Sequence, residues 1–316
     1  MYVPWYGPVF WPYAYADLFY FTFWPHAYDY GYWAYAYDGF FDGIFFPGGA
    51  PYATYAYAGP YASVPATTGA RSESSTYASV PGEVSKSVQQ LCKQPDSGVT
   101  AWPFDRIEKA VDPTGEQQAL LADIKKAADE AADLFVAACP EHVPMTPVSR
   151  LEAMTERLRA TLDAIKLVRP PLERFYHSLS DEQQARFNEI GPEIGKKRQG
   201  SVDEAKAECG GEKAGLTSLP IARIEDVVRP TSEQGEGLDA LSSALDQAAK
   251  TLEQACPNDI PQTPVGRLEV MQRRLEAMIE AADIVRPPLE SFYALLDFEQ
   301  KARFNRLDRD QARSGG

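Results

Sequence analysis

From about residue 104 onward, apolar side chains recur every three or four positions, which is the signature of helices with one buried face. A short helix is predicted over about 104–111. A long one is predicted from Thr114 to Ala138, with Leu120, Leu121, Ile124, Ala127, Ala131, Leu134, Phe135 and Ala138 near one side. A third is predicted to start at Thr146-Pro147, where a hydroxyl can cap the first turn and proline occupies the first helical position. Its stripe is Leu151, Met154, Leu158, Leu162 and Ile165. Pro170-Pro171 then predict a break or kink, because each lacks the N–H that a helix interior needs. The last part, about 171–190, holds Leu172, Phe175, Tyr176, Leu179 and Phe187.

The same pattern returns 117 residues later. Arg106-Ile107-Glu108 matches Arg223-Ile224-Glu225, and Ala138-Cys139-Pro140 matches Ala255-Cys256-Pro257. Thr146-Pro147-Val148 matches Thr263-Pro264-Val265. Val168-Arg169-Pro170-Pro171-Leu172-Glu173 matches Val285-Arg286-Pro287-Pro288-Leu289-Glu290, and Ala185-Arg186-Phe187-Asn188 matches Ala302-Arg303-Phe304-Asn305. The register never slips, so the chain carries two tandem copies of one all-α module. Each module is expected to be a long helical hairpin with short helices, over about 91–191 and 208–308.

One local motif recurs four times: Thr114 to Gln117, Ser180 to Gln183, Thr231 to Gln234 and Asp297 to Gln300. Each places a capping side chain three residues before a glutamine. This is the capping-box arrangement, in which the first side chain takes a free N–H of the first turn and the glutamine reaches back. Glu182 and Glu299 precede Arg186 and Arg303 by four positions, so each pair can form an ion pair along a helix.

Composition divides the rest of the chain. Residues 1 to about 62 are dominated by Tyr, Phe and Trp, with Asp17, Asp29, Asp38 and Asp42 their only charges. Phe10-Trp11-Pro12-Tyr13-Ala14-Tyr15 recurs there as Phe23-Trp24-Pro25-His26-Ala27-Tyr28. Aromatic rings with polar tips suit a membrane interface or a protein partner; an unstructured low-complexity tail is the alternative. Residues 63–90 are rich in Ser, Thr, Ala and Pro and read as a flexible linker. The formal net charge of −14 over 316 residues argues against nucleic acid as a partner, because the phosphate backbone repels it. No run of 18 apolar residues exists, so no ordinary membrane-spanning helix is expected. No signal peptide is visible: Met1 opens directly into aromatics.

The four cysteines, Cys92, Cys139, Cys209 and Cys256, obey the same offset. A duplicated unit would bring its own bridge, which favours Cys92–Cys139 and Cys209–Cys256. Closing a loop of that length stabilises by about 4 kcal/mol in the chain-entropy model, and disulfides imply an oxidising compartment. The alternative is a reduced pair or a metal site. Zinc needs about four ligands, and the three histidines are His26, His142 and His177, the last two standing where the second copy has Asp259 and Ala294. No repeated ligand set emerges. No phosphate loop, HExxH or nucleophile–His–acid arrangement stands out either, so no catalytic, cofactor or metal residues are expected and a binding role is favoured over an enzyme.

Leu179-Ser180-Asp181-Glu182-Gln183 followed by Ala185-Arg186-Phe187 resembles the LTxxQ motif of the Spy/CpxP periplasmic proteins. Leu296-Asp297-Phe298-Glu299-Gln300 repeats it, and Thr114 to Gln117 and Thr231 to Gln234 resemble degenerate copies. Leu-Ser and Leu-Asp replace Leu-Thr, and the paired cysteines and the duplication are additions. The resemblance implies an all-helical, cradle-shaped dimer that acts in the periplasm as an ATP-independent chaperone or envelope-stress protein. Since each copy carries two motifs, like one protomer, the tandem chain is expected to form the dimer-like cradle within itself. Candidate contacts to unfolded clients are Phe175, Tyr176, Phe292 and Tyr293, for which core packing is the favoured alternative. A non-catalytic envelope scaffold anchored through residues 1–62 is the second reading, and a metal-responsive sensor the third.

Overall fold

The computed structural model describes residues 104–138, 146–188, 221–255 and 263–305. The aromatic segment 1–62, the linker 63–90, the four cysteines, His26 and His142 lie outside the described residues. Among the described residues there are eight helices and no strand. Copy one holds α1 (Phe104–Val111), α2 (Gly115–Ala137), α3 (Pro147–Ser178) and α4 (Asp181–Asn188). Copy two repeats them as α5 (Ile221–Val228), α6 (Ser232–Gln254), α7 (Pro264–Leu295) and α8 (Phe298–Asn305).

In each copy the two long helices form a hairpin, α2 on α3 and α6 on α7, and the two short helices, α1 with α4 and α5 with α8, pack together. The expected stripe is the core: Leu121, Ile124, Ala127 and Ala131 of α2 are buried, as are Leu151, Leu158, Leu162 and Ile165 of α3. Ala128 and Ala132 are buried too. These small side chains widen the buried arc of α2 without a bulky stripe.

The buried arc of α3 is wider than one neighbour requires. Thr155, Leu158, Thr161, Leu162, Ala164, Ile165 and Val168 are all buried, because α3 packs against α7 of the other copy as well as against α2. Arg159 bonds Asp283, and further along α3 Arg169 bonds Gln272. As the residue number rises on α3 it falls on α7, so the two helices run antiparallel. Because 159 and 276 are equivalent positions, as are 166 and 283, the packing relates the copies by an approximate two-fold axis.

The prolines do not break α3. The helix continues through Pro170 and Pro171 to Ser178, and α7 continues through Pro287 and Pro288 to Leu295. An interior proline costs about 3 kcal/mol, but Val168, Leu172 and Phe175 are completely buried on either side of the pair. Arg169 also bridges it, its Nε donating to Glu173 Oε1 at 2.6 Å. Core burial of that size holds the helix through the defect. The fourth helix therefore starts at the motif, after Leu179-Ser180, and not at the prolines.

Short helix α1 ends at Asp112, whose φ of 49° is left-handed. Its N–H donates to the Glu108 carbonyl at 2.9 Å, as in a helix C-cap. Arg229 does the same in copy two, with φ of 53° and its N–H on the Glu225 carbonyl at 2.8 Å. Pro113 and Pro230 follow, so each turn is fixed between a left-handed residue and a rigid one, and the next helix begins at once.

Candidate functional site

The four recurring motifs sit at the N-termini of α2, α4, α6 and α8, and they are brought together in pairs. Gln117 of α2 meets Gln183 of α4, and Gln234 of α6 meets Gln300 of α8. Gln117 Nε2 donates to Gln183 Oε1 at 2.9 Å, and Gln183 Nε2 donates back to Gln117 Oε1 at 2.9 Å. The same two-way exchange links Gln234 and Gln300, at 2.9 and 2.8 Å.

Each glutamine also keeps its capping role. Gln117 Oε1 accepts the Thr114 N–H and Gln183 Oε1 the Ser180 N–H, both at 2.9 Å. In copy two the Thr231 and Asp297 N–H groups donate in the same way at 2.9 Å. The forward half of the box comes from Ser180 Oγ, Thr231 Oγ1 and Asp297 Oδ1, which accept the N–H of Gln183, Gln234 and Gln300.

The remaining donor of each amide closes a helix end. Gln117 Nε2 donates to the Ser178 carbonyl at the end of α3, at 2.8 Å, and Gln183 Nε2 to the Val111 carbonyl at the end of α1, at 3.1 Å. Every donor and both acceptor positions of the two amides are used. A carboxylate could not do this, since it offers no donor. Gln117, Gln234 and Gln300 are buried, where an unmade bond would be costly. The motif leucines, Leu179 and Leu296, are buried beside them.

Arginine completes the joint. Arg186 Nε donates to the Ala110 carbonyl at 2.7 Å, and Arg303 Nε to the Val227 carbonyl at 2.9 Å. A cation at a helix C-terminus is favoured by the partial negative charge of the free carbonyls. The expected ion pair along α8 forms, with Arg303 3.8 Å from Glu299. Glu182 in α4 is held below the usual carboxylate range, first by its own backbone N–H, then by the Ser180 hydroxyl, and also by the charge of Arg186.

The candidate client contacts are core residues. Phe175 and Phe292 are completely buried, Tyr176 is 8% exposed, and Tyr293 is partly buried. Phe175 packs edge-on against Phe187 and Phe292 against Phe304, with ring centres 5.9 Å apart in both copies. The two tyrosines tilt over the same Phe187 and Phe304 rings, and their hydroxyls bond Asn188 and Asn305 at 3.0 Å. These four aromatics hold α4 and α8 onto the long helices, and no face of Phe175 or Phe292 is left for a client.

The exposed apolar side chains lie elsewhere. Among the described residues the large exposed hydrophobics are Phe298, 87% exposed, and Leu295, 46% exposed. Leu295 precedes the second copy's motif and Phe298 lies within it, where copy one has Ser178 and Asp181. Leu295 lies over Gly237, whose place in copy one is taken by Leu120; a Cβ at 237 would sit 3.1 Å from Leu295 Cδ1. Bulk has moved from α2 to α7, giving Leu120 with Ser178 in one copy and Gly237 with Leu295 in the other. A copy-to-copy comparison of the sequence at these positions would have found both differences.

In copy one Leu120, Pro170, Glu173, Arg174, His177 and Ser178 line an open groove of about 660 Å³. No cluster of three or more His, Cys, Asp or Glu side chains with metal-binding geometry exists among the described residues. None of the described helices is long and apolar enough to cross a membrane.

All-helical modules closed by paired LTxxQ-type glutamines define the class. The LTXXQ motif family matches the chain twice, over residues 99–191 and 216–308. The chain belongs to that family and carries its unit in tandem, in keeping with the resemblance to the Spy/CpxP proteins. No curated protein and no solved structure matches the chain.

Proposed function

We propose that the protein is a periplasmic, ATP-independent chaperone or envelope-stress protein that holds partly unfolded clients by weak, reversible contacts and catalyses no reaction. The observation that carries this reading is the pair of exposed apolar side chains, Phe298 and Leu295, at the end of α7 and the start of α8. Burying one such side chain is worth about 1.5–3 kcal/mol, enough for transient capture and too little for a permanent complex. Asp297, Glu299 and Lys301 neighbour the pair along the chain and bring charge of both signs, which keeps the bare patch soluble. Family membership supports the same reading.

Light scattering from an aggregating client, with and without ATP, tests it. The full chain is expected to suppress aggregation equally in both conditions. Phe298→Asp, which introduces the residue of copy one at an 87% exposed position, is expected to weaken suppression several-fold while leaving the thermal midpoint nearly unchanged. No suppression at equimolar chain rejects the proposal. The oxidising compartment in this reading puts all four cysteines in bridges, so thiol titration of the unfolded, unreduced chain is expected to find no free thiol.

A further inference from the structure

The contact between the copies is charged, and the charges differ between equivalent positions. Arg159 Nη2 reaches both carboxylate oxygens of Asp283, at 2.9 and 3.1 Å. The equivalents of these two residues are Glu276 and Lys166. The antiparallel register set by Arg159–Asp283 and Arg169–Gln272 places Lys166 opposite Glu276, and both are exposed. At these two positions copy one is therefore doubly basic and copy two doubly acidic.

Consider the same face pairing two identical copies. Copy one against copy one would set Arg159 against Lys166 twice over. Copy two against copy two would set Glu276 against Asp283 twice over. Like charges at such a contact oppose association, while the mixed pairing gives one direct ion pair, Arg159–Asp283, and opposite signs at the second position, where Glu276 accepts a bond from Gln272 of its own helix. An undiverged duplication would carry identical charges in both copies and could not make this distinction.

We infer that the α3 face of copy one is a recognition surface for the α7 face of copy two and is closed electrostatically to copy one of another chain. The protein is a single-chain pseudo-dimer, and the charge reversal between its copies disfavours linking to further chains through like copies, copy one on copy one or copy two on copy two. Connection of the two copies by the segment between α4 and α5 raises their effective concentration, and the charges select which copy fills the site. The inference does not depend on the client-binding proposal.

The full chain and three variants test it: Arg159→Glu, Asp283→Arg, and both together. Arg159 and Asp283 are about half exposed, so the pair itself is modest, but each single reversal turns an attraction into a repulsion. Each single variant is expected to lower the thermal midpoint by about 2–4 °C at low salt. The double variant is expected to regain at least half of the summed loss, short of all of it because Arg286 lies 3.8 Å from Asp283. The double variant also gives each copy one charge of either sign, so identical copies no longer repel. It is expected to form larger species in sedimentation velocity as concentration rises, while the wild-type chain stays monomeric, and added salt is expected to narrow the differences. Two results overturn the inference: strictly additive losses in the double variant, or a wild-type dimer that Arg159→Glu dissolves.

Discussion

A glutamine in the first turn of a helix has a side chain just long enough to return to the residue before the helix. Here it also meets a second glutamine doing the same for another helix. The local half was legible in the sequence, because Thr114 to Gln117 and its three relatives are a spacing rule within four residues. The pairing was not, because Gln117 and Gln183 are 66 residues apart and nothing in either local pattern refers to the other. The aromatics carried two readings, core packing and client contact, for a related reason: a ring on a helix does not announce which side it faces, and Phe175 meets Phe187 only once α4 folds back. Replacing Gln300 by alanine removes the acceptor of the Asp297 N–H and of one Gln234 Nε2–H, and the donor to Gln234 Oε1 and the Val228 carbonyl. The expected loss is about 2–4 kcal/mol, measured as the drop in chemical-denaturation midpoint at unchanged slope. Gln300→Glu is expected to be no better at neutral pH, because it keeps the shape and removes the donors. Glu182 gives the pH-dependent counterpart. Its folded pKa is lowered, so its contribution is complete above the ordinary carboxylate pKa and is lost as pH falls through the folded one. Glu182→Gln is expected to make stability fall less steeply with acidification, read from denaturation midpoints across a pH series; an unchanged slope counts against the hydrogen bonds from Ser180 and the backbone as its cause.

At the scale of helices, periodicity and caps located the elements, and tertiary burial decided where they stop. The Pro-Pro pair showed the limit of local reasoning: two interior prolines argue for a helix end, and Val168, Leu172 and Phe175 in the core outweigh them. The sequence could not show that burial, since it depends on what packs against both sides of the pair. Helix α6 carries two glycines that its partner α2 lacks at those positions, Gly235 and Gly237 where copy one has Gln118 and Leu120. A Cβ at 235 would meet nothing within 4 Å. Gly235→Ala is therefore expected to stabilise the chain by roughly 0.5–1 kcal/mol through backbone entropy alone. Gly237→Ala gains the same helix preference but must push Leu295 aside by a few tenths of an ångström. Leu295 is half exposed and can yield, so a smaller gain is expected there. Paired with Leu295→Ser, which removes the opposing methyls, Gly237→Ala should recover the full gain. Denaturation midpoints of the three variants order these effects, and Gly237→Ala exceeding Gly235→Ala would show that the Leu295 contact is not tight.

For the whole molecule, the decisive fact is that the buried side chains of both copies form one cluster, from Ile107 through Leu162 and Met278 to Phe304. The duplication and its two motifs per copy could be read along the chain, and the resemblance implied that the copies pack on each other, but which helices share the core could not be read, because it depends on α3 finding α7. Two modules on a loose tether would unfold in two steps, each sensitive only to its own substitutions. A single core predicts the opposite. Gln183→Ala lies in copy one and Gln300→Ala in copy two, with the antiparallel long helices between them. Each is expected to lower one common transition, with calorimetric and van't Hoff enthalpies still equal. Together they are expected to lower that transition by the sum of their separate effects, since the two joints share no partner. A thermogram that splits into two peaks in either single variant, one of them at the wild-type temperature, would show that the copies fold independently and that the α3–α7 contact adds little to the core.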